Sequence, residues 1–106
     1  MMKYKVVFHP EVYNDLHEIG EYISQESAVY AKKVIDEILT SLRRLETFPL
    51  SAPLASEKGL AREGFRSLKC GKYLCFYKIF DTVVYIYYIV HGARNYPTLF
   101  DRFEKD

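Results

Sequence analysis

The apolar positions change their period partway along the chain. After one short alternating stretch they recur at helical spacing to about residue 47, and from residue 65 they alternate. Lys3 to Phe8 places Tyr4, Val6 and Phe8 on one side and Val7 on the other, which predicts an opening strand. His9-Pro10-Glu11 then predicts a helix start, because a proline at the first helical position gives up no hydrogen bond. Val12, Leu16, Ile19 and Ile23 follow at spacings of 4, 3 and 4, one apolar stripe on a helix of roughly four turns. Glu11, Asp15, Glu18 and Glu21 take its other faces. Ser24 to Ser27 interrupts the pattern, with Ser27 placed as an N-cap. Ala31, Val34, Ile35, Ile38, Leu39, Leu42 and Leu45 restore helical spacing to about Thr47. Helices joined by so short a loop pack as an antiparallel hairpin.

Phe48 to Glu63 holds Pro49, Pro53 and Gly59 and few periodic apolar residues, so it reads as a structured loop. A linker there would leave both sides too small to fold, and residues 1–106 are read as a single domain. Strands are expected at Phe65 to Lys69, Tyr73 to Phe80 and Val83 to Val90, joined by turns at Cys70-Gly71-Lys72 and Asp81-Thr82. The fold class is therefore α+β, in the order β-α-α-β-β-β, with an antiparallel sheet packed against an N-terminal helical hairpin. The last two strands are apolar on both faces, so they are central in the sheet or covered on both sides.

Composition refines this picture in three places. A hydrophobic fraction of 49% with 27% charged residues describes a globular protein, not a disordered one. No apolar run approaches the roughly 20 residues that cross a bilayer, and no apolar segment follows the lysines of Met1 to Phe8, so the expected location is cytoplasmic and no membrane partner is expected. The net charge of +1 hides an asymmetry: residues 1–53 carry six basic against eight acidic residues, and residues 58–94 carry seven against two. A basic second half suits an anionic partner, either nucleic acid or an acidic protein segment.

Candidate chemistry gathers in that half. Phosphate loops, dinucleotide fingerprints, zinc helices and nucleophile elbows have no counterpart in the chain, and no cofactor is expected. His9, His17 and His91 fall on three elements, and Cys70 and Cys75 fit no zinc or redox spacing, so the expectation is no metal and two reduced thiols. Arg66, Lys69, Lys72 and Arg94, with Tyr73, Tyr77, Tyr85, Tyr87, Tyr88, His91 and Tyr96, form one surface if the sheet folds as read. Cations neutralise phosphates and aromatic rings stack on bases. Metal-free RNA cleavage needs a base for the 2′-hydroxyl, an acid for the leaving oxygen and a cation for the phosphate. Arg66, Lys69, His91, Arg94 and Tyr96 are the catalytic set under that chemistry. The competing reading is that sheet tyrosines pack, with their hydroxyls at the rim.

Several blocks in order resemble the RelE/ParE superfamily of toxins from type II toxin–antitoxin systems, over nearly the whole chain. They are Glu21-Tyr22-Ile23 at the end of the first helix, Leu45 to Pro49 after the second, and Gly64-Phe65-Arg66-Ser67-Leu68 opening the sheet. Tyr73-Leu74-Cys75-Phe76-Tyr77 follows as a Tyr-x-x-x-Tyr strand, and Val90-His91-Gly92-Ala93-Arg94-Asn95-Tyr96 as the ending block. The pattern is most similar to the ParE branch. The resemblance implies a cytoplasmic toxin neutralised by a cognate antitoxin in a hetero-oligomer, with DNA gyrase as target. Arg66, Lys72, Tyr77 and Arg94 are then the target-binding residues. The alternative it implies is a ribosome-dependent mRNA endonuclease, an mRNA interferase. Such nucleases typically carry an arginine directly after the first tyrosine of the Tyr-x-x-x-Tyr strand, where this chain has Leu74. They also tend to be strongly basic, which a net charge of +1 is not.

Overall fold

The computed structural model describes residues 3–92. Its elements are β1 (Lys5–Phe8), α1 (Pro10–Ser24), α2 (Ala28–Arg43), a 3-10 turn (Arg44–Glu46), α3 (Lys58–Arg62), β2 (Arg66–Cys70), β3 (Tyr73–Phe80) and β4 (Val83–His91). The local signals act where expected. Pro10 opens α1, and the His9 side chain accepts a hydrogen bond from the Glu11 N–H at 3.2 Å. The Ser27 hydroxyl caps α2 by accepting from the Tyr30 N–H at 3.0 Å. Cap residues satisfy N–H groups that the helix leaves unpaired.

The sheet runs β1-β4-β3-β2. β2, β3 and β4 form an antiparallel meander through two tight turns, in which Gly71 (φ +62°) and Asp81 (φ 55°) supply the left-handed backbone. Glycine takes that conformation freely, and aspartate tolerates it better than most residues. The expected all-antiparallel sheet needs correction at one edge, because β1 pairs parallel with β4, from Lys5 opposite Val83 to Phe8 opposite Ile86. Two-residue turns enforce antiparallel pairing, whereas a connection through several elements permits either direction. The connection from β1 to β4 takes in both long helices and two strands.

One face of the sheet packs against the helical hairpin. Val12 from α1 and Ile38 and Leu42 from α2 meet Cys75, Tyr77, Val84, Ile86 and Ile89 in the main core. A second, smaller core lies apart from it: Phe76, Tyr88 and Val90 pack with Ala55, Leu60 and Phe65. The segment read as a loop therefore acts as a partial second layer. It is tied to the start of β2 by hydrogen bonds from the Ala55 N–H to the Phe65 carbonyl (2.9 Å) and from the Ser67 N–H to the Pro53 carbonyl (3.0 Å). Its short helix α3 is capped by the Glu57 carboxylate, which accepts from the Leu60 N–H at 3.0 Å.

Between Phe76 and Tyr77 the β3–β4 register shifts, so that Phe76 faces Tyr88 while Tyr77 faces Ile86. Tyr87 is the extra residue of this bulge. Strict alternation would send Tyr87 and Tyr88 to opposite faces, but the bulge lets both pack in the second core. Among the described residues, no helix is long and apolar enough to cross a membrane.

Candidate functional site

The structure divides the expected surface into three places. At the end of the sheet, the β2–β3 turn and the last residue of β4 come together. Tyr73 pairs with His91 across the strands, their rings 5.4 Å apart and nearly perpendicular, and the Gly92 N–H donates to the Lys72 carbonyl at 2.9 Å. Lys69 and Lys72 are exposed on this hairpin. Tyr73 and His91 separate two grooves. One, of about 730 Å³, runs along α1 past Glu11, Asp15 and Glu18; the other, of about 710 Å³, passes Tyr30, Glu26 and Lys72. Tyr22 lines both. Burial, with Tyr22 and Tyr30 nearby, pushes the Tyr73 phenol above its ordinary value, so it holds its proton at neutral pH. The end of the sheet thus brings the Lys72 cation together with a protonated phenol and an imidazole, a set suited to binding an anionic group, while Lys69 pairs with Leu74 and lines neither groove.

Arg66 does not join that region. It begins β2 opposite Tyr77, and its guanidinium donates to the Ala52 carbonyl at 2.6 Å. Lys69 lies three residues further along the strand, and an odd spacing puts the two side chains on opposite faces. Tyr77 was expected to face a target, and that expectation is corrected: its side chain is 0% exposed. Its hydroxyl donates to the Pro49 carbonyl at 2.7 Å. Burial raises its pKa, while the Ala52 backbone and Arg66 oppose the rise. Tyr77 alternates in step with Cys75 and Ile79, and that side of β3 is the one the helices cover. Arg94 and Tyr96 lie outside the described residues.

The third place holds Tyr85 and Tyr87, which the sequence singled out, with Lys78, which it did not. On the second face, the Lys78 ammonium sits 4.5 Å from the centre of the Phe65 ring and 5.7 Å from that of Tyr87. Tyr87 also meets Tyr85 at 5.0 Å and stacks with His9 at 6.1 Å between ring centres. Burial, and then the neighbouring Tyr85, push the Tyr87 phenol up. The available signal was register: Lys78 is opposite Tyr85 on adjacent strands, which puts a cation and a phenol on one face. Among the described residues, no group of three or more His, Cys, Asp or Glu side chains is placed to hold a metal ion.

A helical hairpin laid on one face of a four-stranded mixed sheet, with cations and aromatics at the sheet's end, describes a small α+β domain. The family comparison makes this particular. The model of the ParE toxin of the type II toxin–antitoxin system parDE matches residues 6–96, and the chain belongs to that family. Among solved structures, the chain is similar to a component of the chromosomal ParDE toxin–antitoxin system from P. aeruginosa, with a TM-score of 0.71 and 14% identity over 84% of this chain and 96% of that one. It is also similar to a chain of the toxin–antitoxin complex RelBE2 from Mycobacterium tuberculosis, with a TM-score of 0.64 and 26% identity over 89% of this chain and 97% of that one. No curated protein matches. At 14% identity the first likeness speaks for the fold alone.

Proposed function

We propose that this chain is a toxin that blocks DNA gyrase by binding, and that a cognate antitoxin neutralises it in the cytoplasm. The observation that carries the reading is Leu74. Where ribosome-dependent nucleases of the superfamily typically place an arginine, Leu74 packs into the second apolar core beside Phe76 and Val90. A leucine can neither neutralise a phosphate nor donate to one. The position of Arg66 agrees with this, since its guanidinium is bonded to the Ala52 carbonyl, on the other side of the strand from Lys69. Of the set assigned to RNA cleavage, His91 lines the grooves at the end of the sheet and Lys69 lines neither of them, with Arg94 and Tyr96 beyond the described residues.

An antitoxin would find apolar surface on the helical hairpin. Tyr22 (74% exposed), Val29 (83%) and Tyr30 (51%) lie where α1 turns into α2. Exposed apolar groups gathered in one place are characteristic of protein contacts. The solved relatives are components of ParDE and RelBE2 toxin–antitoxin systems, which supports a partner of that kind here.

Tightly controlled expression with two readouts tests the target. Gyrase poisoning gives a DNA-damage response and cleaved plasmid complexes, and these are the expected results. Rapid translation arrest with transcripts cut at ribosomes would overturn the gyrase reading in favour of an mRNA interferase. Unimpaired growth without the antitoxin would overturn both.

A further inference from the structure

Both cysteines of the chain lie in the sheet, and neither is used by the binding function above. Cys70 ends β2 and Cys75 lies in β3; the register sets Cys70 opposite Tyr73 and Cys75 opposite Leu68, so the two thiols meet diagonally. Their sulfurs are 3.3 Å apart, and both are free thiols. Their surroundings differ. Cys75 is 0% exposed, inside the main core. Cys70 is 6% exposed and lines an open groove of about 590 Å³ between α2 and the β2–β3 turn, along with Ser41, Arg44 and Lys69.

We propose that Cys70 and Cys75 form a peroxide-reactive dithiol, in which Cys70 is the attacking sulfur and Cys75 the resolving one. The assignment follows from access and charge. Only Cys70 opens to a groove through which a small oxidant arrives, and the thiolate that attacks is stabilised by a neighbouring cation and by hydrogen-bond donors. The hydrogen bond with Cys75 favours the Cys70 thiolate most, burial opposes it, and Ser41 and then the Arg44 cation add to the favourable side. The Cys75 thiol is pushed the other way by its bond to Cys70 and by burial, so it remains a thiol until needed.

In the first step the Cys70 thiolate attacks one oxygen of hydrogen peroxide. The O–O bond breaks, the departing hydroxide takes a proton to become water, and Cys70 becomes a sulfenic acid. In the second step the Cys75 sulfur attacks the Cys70 sulfur. The S–O bond breaks, and the hydroxyl leaves with the Cys75 proton as a second water. Two thiols have then lost two electrons and two protons to one peroxide. The sulfurs need to close from 3.3 Å to the roughly 2.05 Å of a disulfide. The resulting bond ties β2 to β3 beneath the groove, next to Lys69.

The test uses the full reduced chain at low concentration with hydrogen peroxide. Thiol titration and intact mass should show both thiols lost together, a mass lower by two hydrogen atoms, and full recovery with a dithiol reductant. Peptide mapping should place the bond between Cys70 and Cys75. Cys75→Ser should stop at one added oxygen on Cys70, captured by a 1,3-dione reagent. Cys70→Ser should leave Cys75 unmodified at the same dose. Wild-type chain that keeps both thiols at a dose that oxidises free cysteine completely would overturn the proposal. So would a disulfide found only between molecules. The wild-type mass and map decide the question even if a serine variant fails to fold.

Discussion

Substituting Tyr77 separates a core role from a surface role. The side chain is 0% exposed, and its hydroxyl donates to the buried Pro49 carbonyl at 2.7 Å. Tyr77→Phe keeps the ring and removes that bond. An acceptor left buried without its donor costs about 1–3 kcal/mol. For a domain of this size each kcal/mol lowers Tm by roughly 4–8 °C. Tyr77→Ala also empties a ring-sized volume, for about 3–5 kcal/mol. That is a large part of the roughly 5–15 kcal/mol that holds a domain folded. Equilibrium urea unfolding reads both variants. The expected result is a midpoint lowered moderately for phenylalanine and severely for alanine, with the slope m unchanged, since the same surface is exposed on unfolding. Growth inhibition should fall only as the folded fraction falls. If Tyr77→Phe loses toxicity at an unchanged midpoint, the hydroxyl acts on a target and its assignment to the core is wrong.

Arg66→Ala, which removes the 2.6 Å bond to Ala52, should lower Tm by an amount corresponding to about 1 kcal/mol, because the group is only partly buried; an unchanged Tm with lost growth inhibition would return Arg66 to the target surface. Ser27→Ala should cost about 1 kcal/mol by thermal or urea unfolding, and Ser27→Asp should retain most of the stability, because either oxygen can accept from the Tyr30 N–H. Tyr73, Tyr77 and Tyr87 all have phenols raised above the ordinary value of 10.0, chiefly by burial. Their contribution is complete below pH 10.0 and is lost as pH rises through the raised folded-state values, so a urea midpoint that falls above pH 10 is expected, with a shallower fall in Tyr77→Phe. Arg94→Ala should weaken growth inhibition about ten- to a hundredfold at unchanged Tm, the loss of a charge-assisted contact of roughly 1.5–3 kcal/mol, and Arg94→Lys should restore it only in part.

What the sequence disclosed, and what it did not, divides along the range of the interaction. The helix start at Pro10, the cap at Ser27, the turns at Gly71 and Asp81 and the strand Tyr73–Phe80 were legible because each rests on a few neighbouring residues. The direction of β1 was not, because it depends on a partner about eighty residues away. Nor was the second layer, because Ala55 and Leu60 follow no period and become a core only once the sheet lies beneath them. Part of the site was obscured for the same reason. Tyr73, Tyr77 and Tyr87 look alike in a run of alternating aromatics, yet one reaches the groove, one is sealed under the helices, and one lies on the second face, where a bulge brings Tyr88 beside it.

Sequence supplies the inventory of cations and phenols, and the pairing of strands decides which of them share a surface. Here that pairing gathers Lys72, Tyr73 and His91 at the end of the sheet, beside the exposed aromatics of the helical hairpin. It sets Arg66 and Tyr77 opposite one another, where one hydrogen bond to the Ala52 carbonyl and one to the Pro49 carbonyl hold the chain that leads from the second helix into the sheet. A cation and a phenol whose hydrogen bonds fasten a loop serve the fold first. The working surface of this toxin is therefore expected at the far end of the same strands, where cations and apolar rings meet solvent.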